Sequence, residues 1–356
     1  MDDQVTTEFS LEQKLQALRR PEMYPGIATA VQAVQSHMSW VFLTDQYAFK
    51  LKKPVRMHEL DFVSVTSRHT ACRREVQLNR RLARHVYHGV LPLQVRDGQL
   101  HLGGEGRTVD WLVWMDRLPA EKMLDRTIGD GTTRRSDVRR VISLLADFYV
   151  RSRPVSISPA VYRHRMVDGV LTTRRRLLAR PFGLSRRQVA QAAKRIAASI
   201  DRNHCELAGR VCGGHVIDAH GDLRPEHLCL TDPPVIIDCL EFSRRLRQQD
   251  TASEIAFLVM ECEKLGDRTV GSWVRHAYFE FTGDDVSPEL RRLYEWLHAF
   301  SRTYLAISHL EDADVENPTK WIHAAQWYLD RITRTVAGGA GHTESRSTID
   351  PPPFRQ

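Results

Sequence analysis

Two aspartates, Asp222 and Asp238, are the side chains of this 356-residue sequence best suited to acid–base and metal chemistry. Asp222 lies in the polar run His220-Gly221-Asp222-Leu223-Arg224-Pro225-Glu226-His227, flanked by apolar Val216-Ile217 and Leu228-Cys229-Leu230. Thr231-Asp232-Pro233-Pro234 then supplies turn residues, and Val235-Ile236-Ile237 leads into Asp238. A hairpin of this length returns the chain beside its start, so the two carboxylates are expected to face one point. Phosphoryl transfer uses such a pair. One carboxylate takes or orients the proton of the attacking hydroxyl, and the other holds the Mg2+ that neutralises charge on the phosphates. Mg2+ takes one or two carboxylates, with phosphate oxygens and water completing its shell. His220 and Arg224 share the catalytic run with Asp222, and a neutral imidazole at His227 can also bind a metal.

The elements that must position these groups follow from changes of period along the chain. Ser10, with Gln13 three residues on, forms a capping-box pattern at the start of a helix over residues 8–20, and Pro21 and Pro25-Gly26 mark turns after it. Residues 31–35, 40–44 and 47–51 are short β-prone segments that predict three consecutive antiparallel strands. Residues 67–83 become helical, with Ala71, Glu75, Leu78 and Leu82 on one face. Residues 91–95, 100–103 and 109–115 return to β character. Beyond Leu118-Pro119 the apolar spacing is helical over 138–150, 186–207, 252–265, 288–309 and 320–336, interrupted by β segments at 216–219, 228–230 and 235–238. An α+β chain is therefore expected, with a small β-rich part, a link near residues 116–119, and a helical part carrying the hairpin. Clefts between such parts commonly hold ligands.

The motifs carry a resemblance. His220 to His227 and Ile237-Asp238-Cys239-Leu240-Glu241-Phe242 resemble the HGDxxxxN catalytic loop and IDxxx metal-binding strand of the aminoglycoside phosphotransferase and choline kinase-like superfamily, relatives of the protein kinases. Asp250 to Ala256 is a conservative version of the DPxxDLA helix start found there. HGDLRPEH with IDCLEF is especially similar to a bacterial branch whose members often carry an extra P-loop kinase domain. The sequence contains no GxxxxGK[ST], so a single-domain form is expected.

The resemblance implies a bilobal protein-kinase-like fold, with an N-lobe over 1–117, a C-lobe over 118–336 and a disordered tail over 337–356. It implies ATP and Mg2+ as cofactors and a hydroxylated small molecule as phosphoryl acceptor. Asp222 would be the base and Asp238 the Mg2+ ligand. Tyr47-Ala48-Phe49-Lys50 is similar to the VAIK strand of kinases, which places Lys50 on the α/β-phosphates and Glu75 as its ion-pair partner. Lys52 points to the same face and is the alternative clamp. Trp111 to Arg117, with Met115, would form the hinge that receives adenine. Two departures stand out. His227 occupies the usual place of an Asn metal ligand, and Gln35-Ser36-His37-Met38-Ser39 lacks the glycines of a phosphate loop. These motivate an alternative, a nucleotide-binding pseudokinase that regulates or scaffolds.

Composition narrows the remaining classes. Apolar residues make up 42% and charged residues 27%, an ordinary globular balance. No apolar run reaches the length that spans a bilayer, and Met1-Asp2-Asp3-Gln4 opens no secretory signal, so a cytoplasmic protein is expected. The formal charge is +7, but the arginines are dispersed without interleaved aromatics, which argues against nucleic acid as the main partner. The six cysteines form no CxxC pair, and Cys205 and Cys212 with His204 and His215 match no common zinc spacing. Buried structural thiols are expected.

Overall fold

The computed structural model describes residues 9–24, 29–57, 60–180, 182–311 and 317–334. The expected tail over 337–356 and the turn at Pro25-Gly26 lie outside the described residues.

The N-terminal part opens with α1 (Leu11–Leu18), capped as its sequence predicts: Ser10 Oγ accepts from the Gln13 N–H, and the Gln13 side chain accepts from the Ser10 N–H. There follow β1 (Gln32–Gln35), β2 (Ser39–Leu43), β3 (Tyr47–Lys52), the short pair β4 (Arg56–Met57) and β5 (Leu60–Asp61), and α2 (Val65–Asn79). Next come β6 (Tyr87–Arg96), β7 (Gln99–Leu102) and β8 (Arg107–Asp116). Six of these strands form one antiparallel sheet in the order β1-β2-β3-β8-β6-β7.

Alternation along β3 explains its two faces. Phe49 and Leu51 join Leu15 and Leu18 of α1 and Leu112 of β8 in one core. Ala48 joins Cys72 and Val76 of α2 and Val113 and Met115 of β8 on the opposite face, the face that also carries Lys50 and Lys52. A buried charge cluster ties the layers together. Asp110 of β8, 1% exposed, accepts from Arg68 of α2 at 2.7 and 2.9 Å and from Lys14 of α1 at 2.8 Å.

The remainder is largely helical: α3 (Leu124–Gly129), α4 (Arg135–Arg151), α5 (Pro159–Ala179), α6 (Arg186–Arg202) and α7 (His204–Cys212). After these come β9 (Val216–Asp218), β10 (Leu228–Cys229), β11 (Val235–Ile236), α8 (Arg244–Arg247) and β12 (Gln248–Asp250). The chain then continues through α9 (Thr251–Lys264), α10 (Arg268–Thr282), α11 (Pro288–Ser308) and α12 (Pro318–Thr333). β10 and β11 form the expected hairpin, whereas β9 pairs with β12.

The single helix expected over 186–207 is two, broken at Asn203. Its side-chain amide turns back to the Ser199 carbonyl at 2.8 Å, a local bond that competes with helix continuation. Two further helices, α5 and α10, were not evident from apolar spacing. α5 buries fully only Tyr162, Val170 and Leu177 of its 21 residues. In α10, Gly271 lies where an added Cβ would meet Val259 Cγ1 at 3.2 Å, so a helix-weakening residue serves close packing against α9. Four cysteines are buried as expected, but Cys205 and Cys212 are exposed. Among the described residues no helix is long and apolar enough to cross a membrane.

Candidate active site

The run from His220 to His227 is held by hydrogen bonds within itself and to the segment 237–240. His220, fully buried, donates from Nε2 to the Ile237 carbonyl at 2.8 Å, and its Nδ1 accepts from the Asp222 N–H at 3.3 Å. The Ile237 N–H donates back to the His227 carbonyl at 2.9 Å, and the Leu240 N–H to the His220 carbonyl at 3.0 Å. These cross-links hold the two strands of the run together. Burial depresses the His220 pKa to about 4, which keeps the ring neutral.

Gly221 is needed for both conformation and space. Its φ is 92°, and an added Cβ would meet Arg247 Cγ at 2.8 Å and Leu240 Cβ at 3.0 Å. Its N–H donates to Glu254 Oε1 at 2.5 Å, and Tyr149 donates to the other carboxylate oxygen at 2.7 Å. Glu254 thus anchors the Gly221 backbone, a contact no sequence pattern singles out, although the residue stands in the segment similar to DPxxDLA. Asp250, at the start of that segment, caps α9 through the Ala252 N–H at 2.8 Å and takes Arg210 at 2.6 and 2.8 Å.

Asp238 takes a left-handed backbone conformation, φ 61°, which is strained for a residue with a Cβ. Its N–H donates to the Tyr87 hydroxyl at 3.3 Å, and the next N–H, of Cys239, donates to Asn79 Oδ1 at 2.8 Å. The turn thus hangs from the N-terminal part of the chain. Its side chain is 41% exposed, and Lys50 Nζ lies 2.5 Å from Oδ1. Partial burial would raise the Asp238 pKa, but the Lys50 charge, reinforced by that of Lys52, holds it well below the usual carboxylate range.

Lys50 and Lys52 both reach Glu75. Lys50 Nζ lies 3.0 Å from Oε1 and Lys52 Nζ 2.5 Å from Oε2, with Glu75 fully buried. Lys52 is 1% exposed and also bonds Glu241 at 2.5 Å, whereas Lys50 is 13% exposed and also bonds Asp238. Lys50 is thus the lysine that faces Asp238, and Lys52 is a buried strut. Met115 is buried on β8 opposite Ala48 and beside Tyr87, in the cluster that includes Val235.

Asp222 is bonded to Arg224, whose Nε lies 3.1 Å from Oδ2, and Arg224 also pairs with Glu226. Burial would raise the Asp222 pKa, but the charges of Arg224 and Arg302 outweigh it and keep the carboxyl ionised. His227 connects the two aspartates. Its Nδ1 donates to the Asp222 carbonyl at 2.7 Å, and its Nε2 accepts from Arg224 at 3.3 Å and lies 3.6 Å from Asp238 Oδ2. A carbonyl only accepts and a guanidinium only donates, so the ring is neutral with its lone pair on Nε2, on the Asp238 side. Among the described residues no group of three or more His, Cys, Asp or Glu is placed to hold a metal. A carboxylate oxygen and an imidazole lone pair side by side suit a divalent cation that draws its other ligands from phosphate oxygens and water.

No protein-family profile matches the chain. Uncharacterised proteins of Mycobacterium bovis and Mycobacterium tuberculosis are 29% identical over 272 residues, which is 73% of this chain and 51% of theirs. The chain therefore spans about half the length of the curated relatives it matches. Among solved structures, the GDP complex of aminoglycoside 2'-phosphotransferase-IIIa superposes with a TM-score of 0.51 at 14% identity, covering 90% of this chain and 97% of that one. A choline/ethanolamine kinase family protein from Mesorhizobium loti gives 0.51 at 14% identity, covering 91% and 95%. A thermostable mutant of aminoglycoside phosphotransferase APH(4)-Ia, in ternary complex with AMP-PNP and hygromycin B, gives 0.50 at 12% identity, covering 90% and 97%. The fold is that of these small-molecule phosphotransferases, protein-kinase-like, as the motifs predicted.

Proposed function

We propose that this chain is an ATP- and Mg2+-dependent phosphotransferase that moves the γ-phosphoryl group to a hydroxyl of a small molecule. The observation that carries this reading is the convergence of Lys50, Asp238, His227 and Asp222 from two distant parts of the chain: Lys50 on Asp238 Oδ1, and His227 joining Asp238 to the Asp222 backbone. The nucleotide would lie between residues up to 117 and those from 118 onward, with Met115 and the neighbouring hinge at the base. Asp238 and His227 would hold the metal, which neutralises charge on the phosphates when bound. Lys50, oriented by Glu75, would bind the α/β-phosphates. Asp222, kept ionised, would accept or orient the acceptor hydroxyl's proton, with His220 and Arg224 fixing its loop and carboxylate. The fold shared with proteins captured with GDP or AMP-PNP supports a nucleotide in this cleft.

The imidazole at position 227 favours a second reading, nucleotide binding without transfer, because nitrogen suits Mg2+ less well than an amide oxygen. One experiment separates the two: a phosphate-transfer screen with Mg2+ and ATP over sugars, amino alcohols, nucleosides, hydroxy acids and aminoglycosides, with Asp222→Asn as control. Transfer that the control loses supports the enzyme. ATP binding with no transfer to any acceptor supports the pseudokinase.

A further inference from the structure

Near Asp222 the helical part of the chain carries three mutually interacting cations: Arg224 of the 220–227 run and Arg302 of α11, which both act on Asp222, and Lys264 at the end of α9, which acts on both arginines. Arg224 is engaged by Asp222 and Glu226. Lys264 and Arg302 share a single carboxylate, Glu261, at 3.9 and 4.0 Å, beyond hydrogen-bond length. Glu261 instead accepts from the Tyr328 hydroxyl at 2.6 Å, and that hydroxyl accepts from Lys264 at 2.8 Å. Both cations lie over the Tyr328 ring, 4.6 Å and 6.0 Å from its centroid. Among the described residues the buried Arg302 Nε has no hydrogen-bond partner. Burial lowers the Lys264 pKa, against the pull of Glu261 and Glu226, and the charges of Arg302 and Arg224 add to the lowering.

The cluster faces the reaction centre. Arg302 and Asp222 stabilise each other's charged forms, and α9 packs against the turn at residues 225–227. Two turns beyond Arg302, His309, just past the end of α11, stacks on Trp321 of α12 at 3.8 Å and meets His37 of the β1–β2 turn at 5.1 Å. Lys264 is 29% and Arg302 21% exposed, so both can be reached by a ligand while the protein body weakens competition from solvent.

The geometry points to an acceptor that carries a carboxylate as well as its reacting hydroxyl, the carboxylate seated between Lys264 and Arg302 and the hydroxyl presented to Asp222. This rests on the phosphotransferase reading above and names its substrate class, a hydroxy acid. A polycationic acceptor would set like charges against both side chains. An uncharged one would leave the exposed parts of both cations without a charge partner when water is displaced.

The test is the affinity of the full chain for D-gluconate, D-glucose and D-glucosamine, which share a carbon count but carry one negative, no and one positive charge. Calorimetry is run with and without saturating AMP-PNP and Mg2+. Gluconate is expected to bind at least about tenfold more tightly than glucose, a difference one charge-assisted pair supplies. Glucosamine is expected to bind no better than glucose. Arg302→Gln and Lys264→Gln should each bring gluconate down to the glucose value, while Arg302→Lys keeps part of the preference and AMP-PNP binding reports that each variant is folded. Equal affinities, no gluconate binding, or a preference for glucosamine overturns the inference. Failure of AMP-PNP to bind the wild type instead overturns the phosphotransferase reading, and the gluconate preference is then judged without nucleotide.

Discussion

Lys50 Nζ lies 2.5 Å from Asp238 Oδ1, joining a β3 side chain to one that is 188 residues away in sequence. On the proposed reading, ATP and its metal would separate and share this pair of charges. Asp238→Ala is expected to abolish the Mg2+-dependent part of ATP affinity while leaving a cooperative unfolding transition, checked by calorimetry with and without Mg2+. Because Asp238 has a φ of 61°, Asp238→Gly should be more stable than Asp238→Ala by about 1 kcal/mol. An Asp238→Ala protein that keeps full Mg2+-dependent affinity would remove the metal role from this residue.

Glu75 carries a different burden. It is fully buried and is the carboxylate shared by Lys50 and Lys52, whose charges hold its pKa below the ordinary value even though burial would raise it. Glu75→Gln leaves Lys52 with Glu241 alone and loosens Lys50 from its place. Breaking a buried pair from one side costs about 3–5 kcal/mol, and the remaining partners Glu241 and Asp238 should hold the loss to about 3 kcal/mol or less. Urea unfolding measures it. ATP affinity should fall in the same variant, whereas Asp110→Asn, which disturbs the other buried charge cluster, should cost stability without changing ATP affinity.

Asp222→Asn keeps the size of the side chain and removes its capacity to take a proton. Turnover on any acceptor the screen identifies should fall by about 10²–10⁴-fold, the range a positioned general base supplies. ATP affinity should stay within about twofold, since Asp222 contacts Arg224 rather than Lys50 or Asp238. A matching loss of ATP affinity would place Asp222 in the nucleotide site instead.

What was legible in the sequence follows from what local pattern can encode. The hairpin after the catalytic run was visible because turn residues at 231–234 separate two apolar stretches, and β10 and β11 pair as that predicts. Glu75 was visible because a carboxylate on an otherwise apolar helix face needs a cationic partner. Its sharing between two lysines was not, since both occupy one face of β3 and only the approach of α2 sets which reaches where. α5 escaped because its polar face is broad and few of its side chains are fully buried, so no apolar stripe forms. The Tyr149–Glu254–Gly221 chain of hydrogen bonds also escaped, because its members come from α4, α9 and the catalytic run and share no sequence pattern.

His220 makes the fold sensitive to acid in a defined window. In the unfolded chain an imidazole takes its proton near 6.5, whereas in the fold burial holds His220 to about 4. Between those values the unfolded state binds the extra proton. This group's contribution is therefore intact above pH 6.5 and is lost as pH falls towards 4, by about 3 kcal/mol in full. Carboxylates titrate in the same range, so the comparison is with His220→Gln, which keeps a donor and an acceptor but cannot protonate. Its plot of unfolding free energy against pH should be shallower than the wild type's by about one proton between pH 6.5 and 4.5. Parallel plots would show that His220 protonates freely in the folded state.

On the proposed reading, His227 sets which metal the site prefers. Its Nδ1 is committed to the Asp222 carbonyl, which leaves the Nε2 lone pair 3.6 Å from Asp238 Oδ2. Imidazole nitrogen binds Mn2+ and later first-row cations better than Mg2+, which prefers oxygen. The wild type should therefore show tighter ATP binding, and faster transfer, with Mn2+ than with Mg2+. His227→Asn places an amide oxygen on the same backbone and should move the preference towards Mg2+ by about tenfold or less, since only one ligand of the shell changes. It should also cost some stability, because the Arg224 and Asp222 carbonyl contacts of the ring are lost. The decisive measurement is the ratio of ATP affinities in Mn2+ and Mg2+ for the two proteins. A ratio unchanged by the substitution would mean that His227 acts on the phosphates or on the loop rather than on the metal, leaving Asp238 as its sole protein ligand among the residues discussed.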